Sequence, residues 1–215
     1  MIELIAPKHH REFSDALEDM HRLRARVFRD RLLWEVEVKD GLEVDRYDSL
    51  GPFYLLSRSE KRVQGCVRLL PSTGPTMLSD IFPFLLDGAR LPRDRAIWES
   101  SRFALEYIPG AARMGSGLAD ATFELFAGMI EFGLAHSLKA IITVTDIRIE
   151  RILKRAHWPL RRLGSAQAIG STMAVAGSLE ISHAALREVR QACGIGKRVL
   201  WAPVEYPKDL EGAGQ

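Results

Sequence analysis

At 215 residues, with 47% hydrophobic and 27% charged residues, the chain has the composition of a soluble globular protein able to bury its own core. Its 30 basic and 28 acidic residues leave a formal charge of +2, which excludes a strongly basic nucleic-acid binder and an acidic disordered chain. Cys66 and Cys193 are too few for a disulfide framework and read as buried free thiols. The N-terminal MIELIAPKHH has no basic stretch leading into an apolar one, and no apolar run is long enough to span a membrane, so the expected compartment is the cytoplasm. Residues 1–210 read as one domain and the last five, EGAGQ, as a frayed tail.

Met1 to Ala6 fits a short strand ended by Pro7. From Arg11 to about Leu33, apolar residues at Phe13, Ala16, Leu17, Met20, Leu23, Val27 and Phe28 make one face of a helix. Residues 35–51, rich in acids and glycine, read as a long loop, of a length that is usually functional or disordered. Phe53–Ser57 and Val63–Leu70 form a hairpin over the polar turn Arg58-Ser59-Glu60-Lys61. Ser79-Asp80 is placed to cap a short helix ending near Leu86, and Ala96 to about Glu106 reads as a strand closed by Pro109-Gly110. A long helix over 117–138 follows, then a β-branched strand at Lys139–Thr145 and a short helix at Arg148–Ala156. Strands near 159–168 and 171–178 flank Gly170, and a helix at 182–192 and a strand near 198–203 complete an α/β sandwich around one mixed sheet.

The charges gather in the first half. Arg24 and Phe28 are four apart on one helical face, with Trp34 just beyond, and the long loop supplies Glu43, Asp45 and Asp48. Arg68 sits in an apolar strand, Gln64-Gly65-Cys66-Val67-Arg68-Leu69-Leu70, where a buried guanidinium requires carboxylate partners. Ile97-Trp98-Glu99-Ser100-Ser101-Arg102-Phe103 makes the same demand. Glu99 and Arg102 are three apart and face opposite sides of a regular strand, so service of one site requires a bulge near Ser100-Ser101.

At these residues the chain resembles the LuxI-type acyl-homoserine-lactone synthases, the autoinducer synthases of bacterial quorum sensing. The resemblance rests on five blocks in order over residues 24–103. They are Arg24-x3-Phe28-x5-Trp34, Glu43-x-Asp45-x2-Asp48, Val63-x-Gly65-x2-Arg68-Leu69-Leu70-Pro71, Asp80-x-Phe82-Pro83 and Trp98-Glu99-x-Ser101-Arg102-Phe103. Thr76 departs from it, standing where many relatives carry an aromatic residue. The resemblance implies a fold similar to the GCN5-type acetyltransferases, an α/β/α sandwich around a mixed, mostly antiparallel sheet. Those enzymes bind pyrophosphate with a glycine loop, to which Ala112-Arg113-Met114-Gly115-Ser116-Gly117 is a weak match.

The resemblance further implies that S-adenosylmethionine, a substrate and not a cofactor, is acylated by an acyl thioester and closed to a lactone with release of methylthioadenosine. Asp45 and Asp48 then serve its positive groups, Arg102 or Arg24 holds its carboxylate, and Phe28 and Trp34 cover the adenine or the sulfonium. Arg68 fixes the loop acids, Glu99 is the candidate general base with Glu43 second, and backbone N–H groups near residue 100 meet the oxyanion. Acyl-pocket candidates are Met77, Leu78, Phe82, Phe103, Leu125, Met129, Ile142, Val144 and Trp158, most of which read equally as plain core, with Thr143 or Thr145 as the residue related enzymes use for 3-oxo acyl groups. The basic run Arg148, Arg151, Lys154, Arg155, Arg161 and Arg162 reads either as a solvated helix face or as a dock for an acidic donor, acyl carrier protein or coenzyme A. The six histidines show no ligand spacing, so no metal is expected. The competing readings are a GCN5-like N-acyltransferase acting on another amine and, less favoured, a nucleic-acid binding module using the basic run.

Overall fold

The computed structural model describes residues 1–59, 62–106 and 117–202, with side chains from Ala121 onward in the last segment. Glu60 and Lys61 of the expected turn, Pro109-Gly110, residues 112–116 of the glycine cluster and the 211–215 tail lie outside these residues. Strand β1 is Ile2–Ile5, and helix α1 (Ser14–Arg24) buries Ala16, Leu17, Met20, Leu23 and Arg24. The helix continues as a π-helical stretch, Ala25–Arg31, that buries Val27 and Phe28. Such widened turns concentrate at functional sites because they re-aim side chains without ending the helix.

The expected long loop is structured. Strands β2 (Val38–Lys39) and β3 (Leu42–Glu43) form a hairpin around Asp40-Gly41, both with positive φ. A one-turn 3-10 helix, Arg46–Leu50, follows; the Asp45 side chain accepts from Tyr47 N–H and Asp48 accepts from the Asp45 N–H. Strands β4 (Phe53–Ser59) and β5 (Arg62–Pro71) pair as expected. The next helix, α2 (Met77–Asp80), begins earlier than expected, because Thr76 and not Ser79-Asp80 provides its cap. Ser79 and Asp80 lie inside it, and Pro83–Leu86 forms a separate 3-10 turn.

Strand β6 (Ile97–Leu105), helix α3 (Gly117–Ala135), strand β7 (Ala140–Asp146) and helix α4 (Ile147–Arg155) follow in order. The single strand expected near 159–168 is split into β8 (Arg161–Arg162) and β9 (Gln167–Ile169). Between them Gly164 leaves the sheet to pack on the 83–86 turn, where a Cβ would lie 2.2 Å from the Leu85 carbonyl oxygen. Strand β10 (Thr172–Glu180), helix α5 (His183–Cys193) and strand β11 (Leu200–Trp201) complete the chain.

Among the described residues nine strands form one sheet in the order β11-β1-β4-β5-β6-β7-β10-β8, with β9 on β10. The β1–β11 and β6–β7 pairs are parallel and the rest antiparallel. Alternation along β4 and β5 sends Leu55, Val67 and Leu69 to one face, which α3 covers, and Leu186 and Val189 of α5 join the same core beside α3. Leu56, Cys66 and Tyr54 face the other way and meet Leu17, Met20, Leu23 and Phe28. The sheet is thus a filling between helices, as an α/β/α sandwich requires.

At Gly177 of β10 a Cβ would sit 2.3 Å from Leu160 Cγ. Gly177→Ala is expected to cost about 1–3 kcal/mol through overpacking, read as a lowered urea midpoint; an unchanged midpoint would contradict this packing.

Candidate active site

The alternation that buries Cys66 against α1 also aims Arg68 there, opposite Tyr54 on β4 and Ser101 on β6. The Arg68 side chain is buried, and its guanidinium donates to Asp45 at 2.5 and 3.0 Å, to Asp48 at 2.8 Å and to Ser101 Oγ at 3.1 Å. Arg24, fully buried on the last turn of α1, donates to Asp48 at 2.8 and 2.9 Å and through Nε to Glu43 at 2.5 Å. Arg102 donates to Glu43 at 2.7 and 3.0 Å and lies 2.9 Å from Asp45. Three guanidinium groups and three carboxylates therefore form one closed, charge-balanced network, the condition under which buried charges are tolerated.

Arg102 reaches the network because of a bulge. Pairing between β5 and β6 shifts between Cys66–Ala104 and Arg68–Ser101, leaving an extra residue on β6, and Arg102 takes a φ of 55°. The irregularity expected near Ser100-Ser101 thus lies just beyond it. It turns Arg102 back to the face that Glu99 and Ser101 already occupy. Glu99 does not join the ion pairs. Its two oxygens accept from the Met77 N–H at 2.9 Å and the Leu78 N–H at 2.8 Å, so it satisfies the open amides at the start of α2.

Burial opposes the charge on Arg24, yet Asp48 and Glu43 more than offset it and hold its pKa above the usual value. Burial likewise opposes the Asp48 carboxylate, and Arg24 and Arg68 overcome it, holding that carboxyl far below the ordinary range. Glu99 moves the other way: desolvation outweighs the two backbone N–H groups and raises it. Burial pushes the Cys66 thiol up to about 12, so it is inert as a nucleophile.

Two residues not anticipated from sequence complete the network. The Tyr54 hydroxyl donates to Asp48 at 2.7 Å, and the Tyr47 ring lies under Arg68 with its hydroxyl donating to Asp80 at 3.2 Å. His21 Nδ1 donates to the Glu43 carbonyl at 2.8 Å.

Two cavities border this network. One, of about 670 Å³ including its mouth, is lined by Phe28, Glu99, Ser101, Phe103, Val144 and Thr145 among others. It opens where β6 and β7 part: they pair only from Ile97–Ala140 to Ser100–Thr143, although both strands run on. The other, of about 1220 Å³ including its mouth, is lined by Glu35, Glu37, Asp45, Arg46 and Tyr47 together with apolar residues. Trp34, Met77, Phe82 and Arg102 line both.

The expected site residues divide accordingly. Asp45, 17% exposed, lines the acidic cavity, whereas Glu43 at 0% and Asp48 at 7% are enclosed and line neither. Arg24 and Arg68 are enclosed as well, so of the three arginines Arg102 alone reaches the cavities. Among the described residues its Nη1 meets only the Met77 sulfur, at 3.1 Å, a weak acceptor. Of the acyl candidates Met77, Phe82, Phe103, Val144 and Thr145 line the β6–β7 cavity. Leu78, Leu125, Met129, Ile142 and Trp158 do not: they are packed core, and the Trp158 indole N–H donates to the Glu180 carbonyl at 2.7 Å. Thr143 also turns away, its hydroxyl donating to the Ser100 carbonyl at 3.0 Å.

Helix α4 starts beside this cavity at Asp146, whose carboxylate accepts from the N–H groups of Arg148 and Ile149. Arg148, Arg151, Lys154 and Arg155 are exposed and carry no ion pair among the described residues, while Arg162 pairs with Glu150. Among the described residues no cluster of His, Cys, Asp and Glu has the arrangement of a metal site. No helix among them is long and apolar enough to cross a membrane.

A sandwich with a parted pair of parallel strands and a charged pocket beside the gap is the frame of an acyltransferase. An acyl-CoA N-acyltransferase from Pseudomonas aeruginosa shares the fold, with a TM-score of 0.53 at 13% identity over 83% of this chain and 97% of that one. The family is narrower than the fold. The autoinducer synthase profile matches residues 8–189. An acyl-homoserine-lactone synthase of Agrobacterium fabrum (strain C58) is 46% identical over 186 residues, 86% of this chain and 88% of the relative. The CoA-dependent acyl-homoserine lactone synthase BjaI, solved with SAM and isopentyl-CoA, superposes with a TM-score of 0.83 at 27% identity, covering 96% and 95% of the two chains. The chain belongs to the autoinducer synthase family and is an acyltransferase.

Because the folded Asp48 carboxyl is held low, its ion pairs contribute fully above the ordinary carboxylate range, near pH 4, and are lost as pH falls toward the lowered folded value. Asp48→Asn is expected to lose about 3–5 kcal/mol at pH 7, with a smaller gap from the wild type at pH 3. Urea titrations at both pH values check this; a gap that does not narrow in acid would contradict it.

Proposed function

We propose that the two cavities bring S-adenosylmethionine and an acyl thioester together for synthesis of an acyl-homoserine lactone. The observation that carries this reading is their common wall of Trp34, Met77, Phe82 and Arg102. The acidic cavity suits S-adenosylmethionine: Asp45 faces its positive groups, Trp34 and Phe82 offer aromatic faces, and the Nη1 edge of Arg102 takes its carboxylate. Phe28 stands on the acyl side of Trp34, 5.5 Å between ring centroids, and packs under Arg102 at 5.1 Å. Arg24, Arg68, Glu43 and Asp48 act through Arg102 and Asp45, holding them in place; Glu43 has both oxygens engaged by arginines and is not a base.

The β6–β7 cavity receives the acyl thioester, its chain running toward Phe103, Val144 and Thr145. Glu99, lifted in pKa by burial, takes a proton from the α-ammonium, directly or through water. The freed amine attacks the thioester carbonyl; the C–N bond forms, the C–S bond breaks, and the thiol leaves carrying a proton. The carboxylate then displaces methylthioadenosine from the carbon next to sulfonium, a step that needs mainly correct folding of the chain. S-adenosylmethionine is consumed, and no resident cofactor or metal takes part. The exposed basic face of α4, beginning at the cavity, suits an acidic donor, acyl carrier protein or coenzyme A. The free thiols Cys66 and Cys193 support a cytoplasmic setting.

Incubation of the protein with S-adenosylmethionine and a panel of acyl-CoA and acyl-carrier-protein thioesters, followed by mass spectrometry, is expected to yield methylthioadenosine and acylated lactone together; methylthioadenosine alone would contradict the reading. Glu99→Gln is expected to lower kcat about 100-fold or more, and full turnover at neutral pH would remove Glu99 as the base. Joint replacement of Arg151, Lys154 and Arg155 by alanine is expected to raise the donor KM about tenfold, without changing the KM for S-adenosylmethionine. An unchanged donor KM would leave α4 a solvated face.

A further inference from the structure

Trp34 divides the two cavities, yet it follows the end of a helix on a turn that is strained in its own right: Leu33, a non-glycine residue, has a φ of 54°. Its ring touches Phe28 at 5.5 Å and Phe82 at 6.1 Å between centroids, contacts that fill space but do not fix the indole in its plane. The fixed points come from the far end of the chain, at the β9–β10 turn. The Trp34 indole N–H donates to Thr172 Oγ1 at 3.3 Å. The Thr172 hydroxyl donates in turn to the Ile169 carbonyl at 3.2 Å, which leaves its lone pairs for the indole. Ser171 Oγ donates to the Leu32 carbonyl at 3.0 Å, tying down the residue just before the strained turn.

Gly170 allows this close approach. Its φ is 56°, and a Cβ there would lie 2.7 Å from the Leu33 carbonyl oxygen and 3.0 Å from both the Leu32 carbonyl oxygen and Trp34 Cδ1. A side chain at 170 therefore pushes the 32–34 turn outward through its backbone, and no rotamer relieves it.

We propose that Gly170, Ser171 and Thr172 are positioning residues for the S-adenosylmethionine cavity, acting through Trp34 and touching no reacting atom. This rests on the assignment of the acidic cavity to S-adenosylmethionine. The turn sets the height of the wall between the cavities, and with it the affinity for S-adenosylmethionine, while the opening between β6 and β7 keeps its shape. Gly170 lines the acidic cavity itself and is absent from the lining of the other, so the effect falls more heavily on the acidic cavity, although Trp34 borders both.

Calorimetric titration of S-adenosylmethionine into the whole protein, with KM values for both substrates, tests it. Thr172→Val keeps the shape and removes the acceptor; it is expected to weaken S-adenosylmethionine binding about 2- to 10-fold, to raise the acyl-donor KM less than that for S-adenosylmethionine and to alter the tryptophan fluorescence. Thr172→Ser restores the acceptor and is expected to bind like the wild type, and Gly170→Ala is expected to weaken binding more than Thr172→Val. Thermal melts establish that each variant is folded. A folded Thr172→Val protein with wild-type affinity, beside a Trp34→Leu protein that binds weakly, would overturn the role of the turn alone. Wild-type affinity in Trp34→Leu as well would overturn the cavity assignment on which it rests. Equal increases in both KM values would reduce the turn to a general support of the fold.

Discussion

Burial of Arg24 and Arg68 between the sheet and α1 is the constraint from which the site follows. A guanidinium in that position persists only with its donors matched by carboxylates, and none is available on β5 or α1 at the right place. The segment 38–50 supplies them. It folds inward as a hairpin and a capped turn, and its acids lock to the two arginines. A stretch that would otherwise be surface loop becomes the floor of a cavity. Arg102 enters the same network from β6, held by Glu43 and Asp45 but with one edge left facing Met77 and the cavities.

The division of labour within the charged set comes from burial. Residues at the centre, Arg24, Arg68, Glu43 and Asp48, have their polar atoms engaged within the network and act as a rigid mount. Those at the rim, Asp45 and Arg102, keep atoms directed at open space. A zwitterionic substrate requires a preorganised positive edge and a preorganised negative one, and a rigid mount provides both without reorganisation on binding. Glu99 is set apart by its partners: two amides of α2 and no ion pair, so burial outweighs those amides and the pull of the more distant Arg68.

Much of this was legible from residue order. A lone Arg68 between apolar neighbours demands buried acids, and the three-residue spacing of Glu99 and Arg102 demands an irregular strand. Both features are present, with the bulge one position beyond the expected Ser100-Ser101. The 35–51 segment also carries two local signals of structure: Asp40-Gly41, a strong two-residue hairpin turn, and Asp45-x-x-Asp48, a reciprocal cap. What could not be read is what depends on distant packing. Met129, Trp158 and Thr145 look alike as apolar or β-branched positions, and only the parting of β6 from β7 decides which of them meets the cavity. The contact of the 170–172 turn with Trp34 spans 138 positions, and no local pattern announces it.

Under the proposed function, the buried network presents the Nη1 edge of Arg102 to a substrate carboxylate. The most direct test of this compares the affinity for S-adenosylmethionine with that for its decarboxylated analogue, in the wild type and in Arg102→Gln. The wild type is expected to favour the carboxylate-bearing ligand about tenfold or more, and the variant to bind the two alike. Equal affinities in the wild type, or an undiminished preference in a folded Arg102→Gln protein, would contradict it.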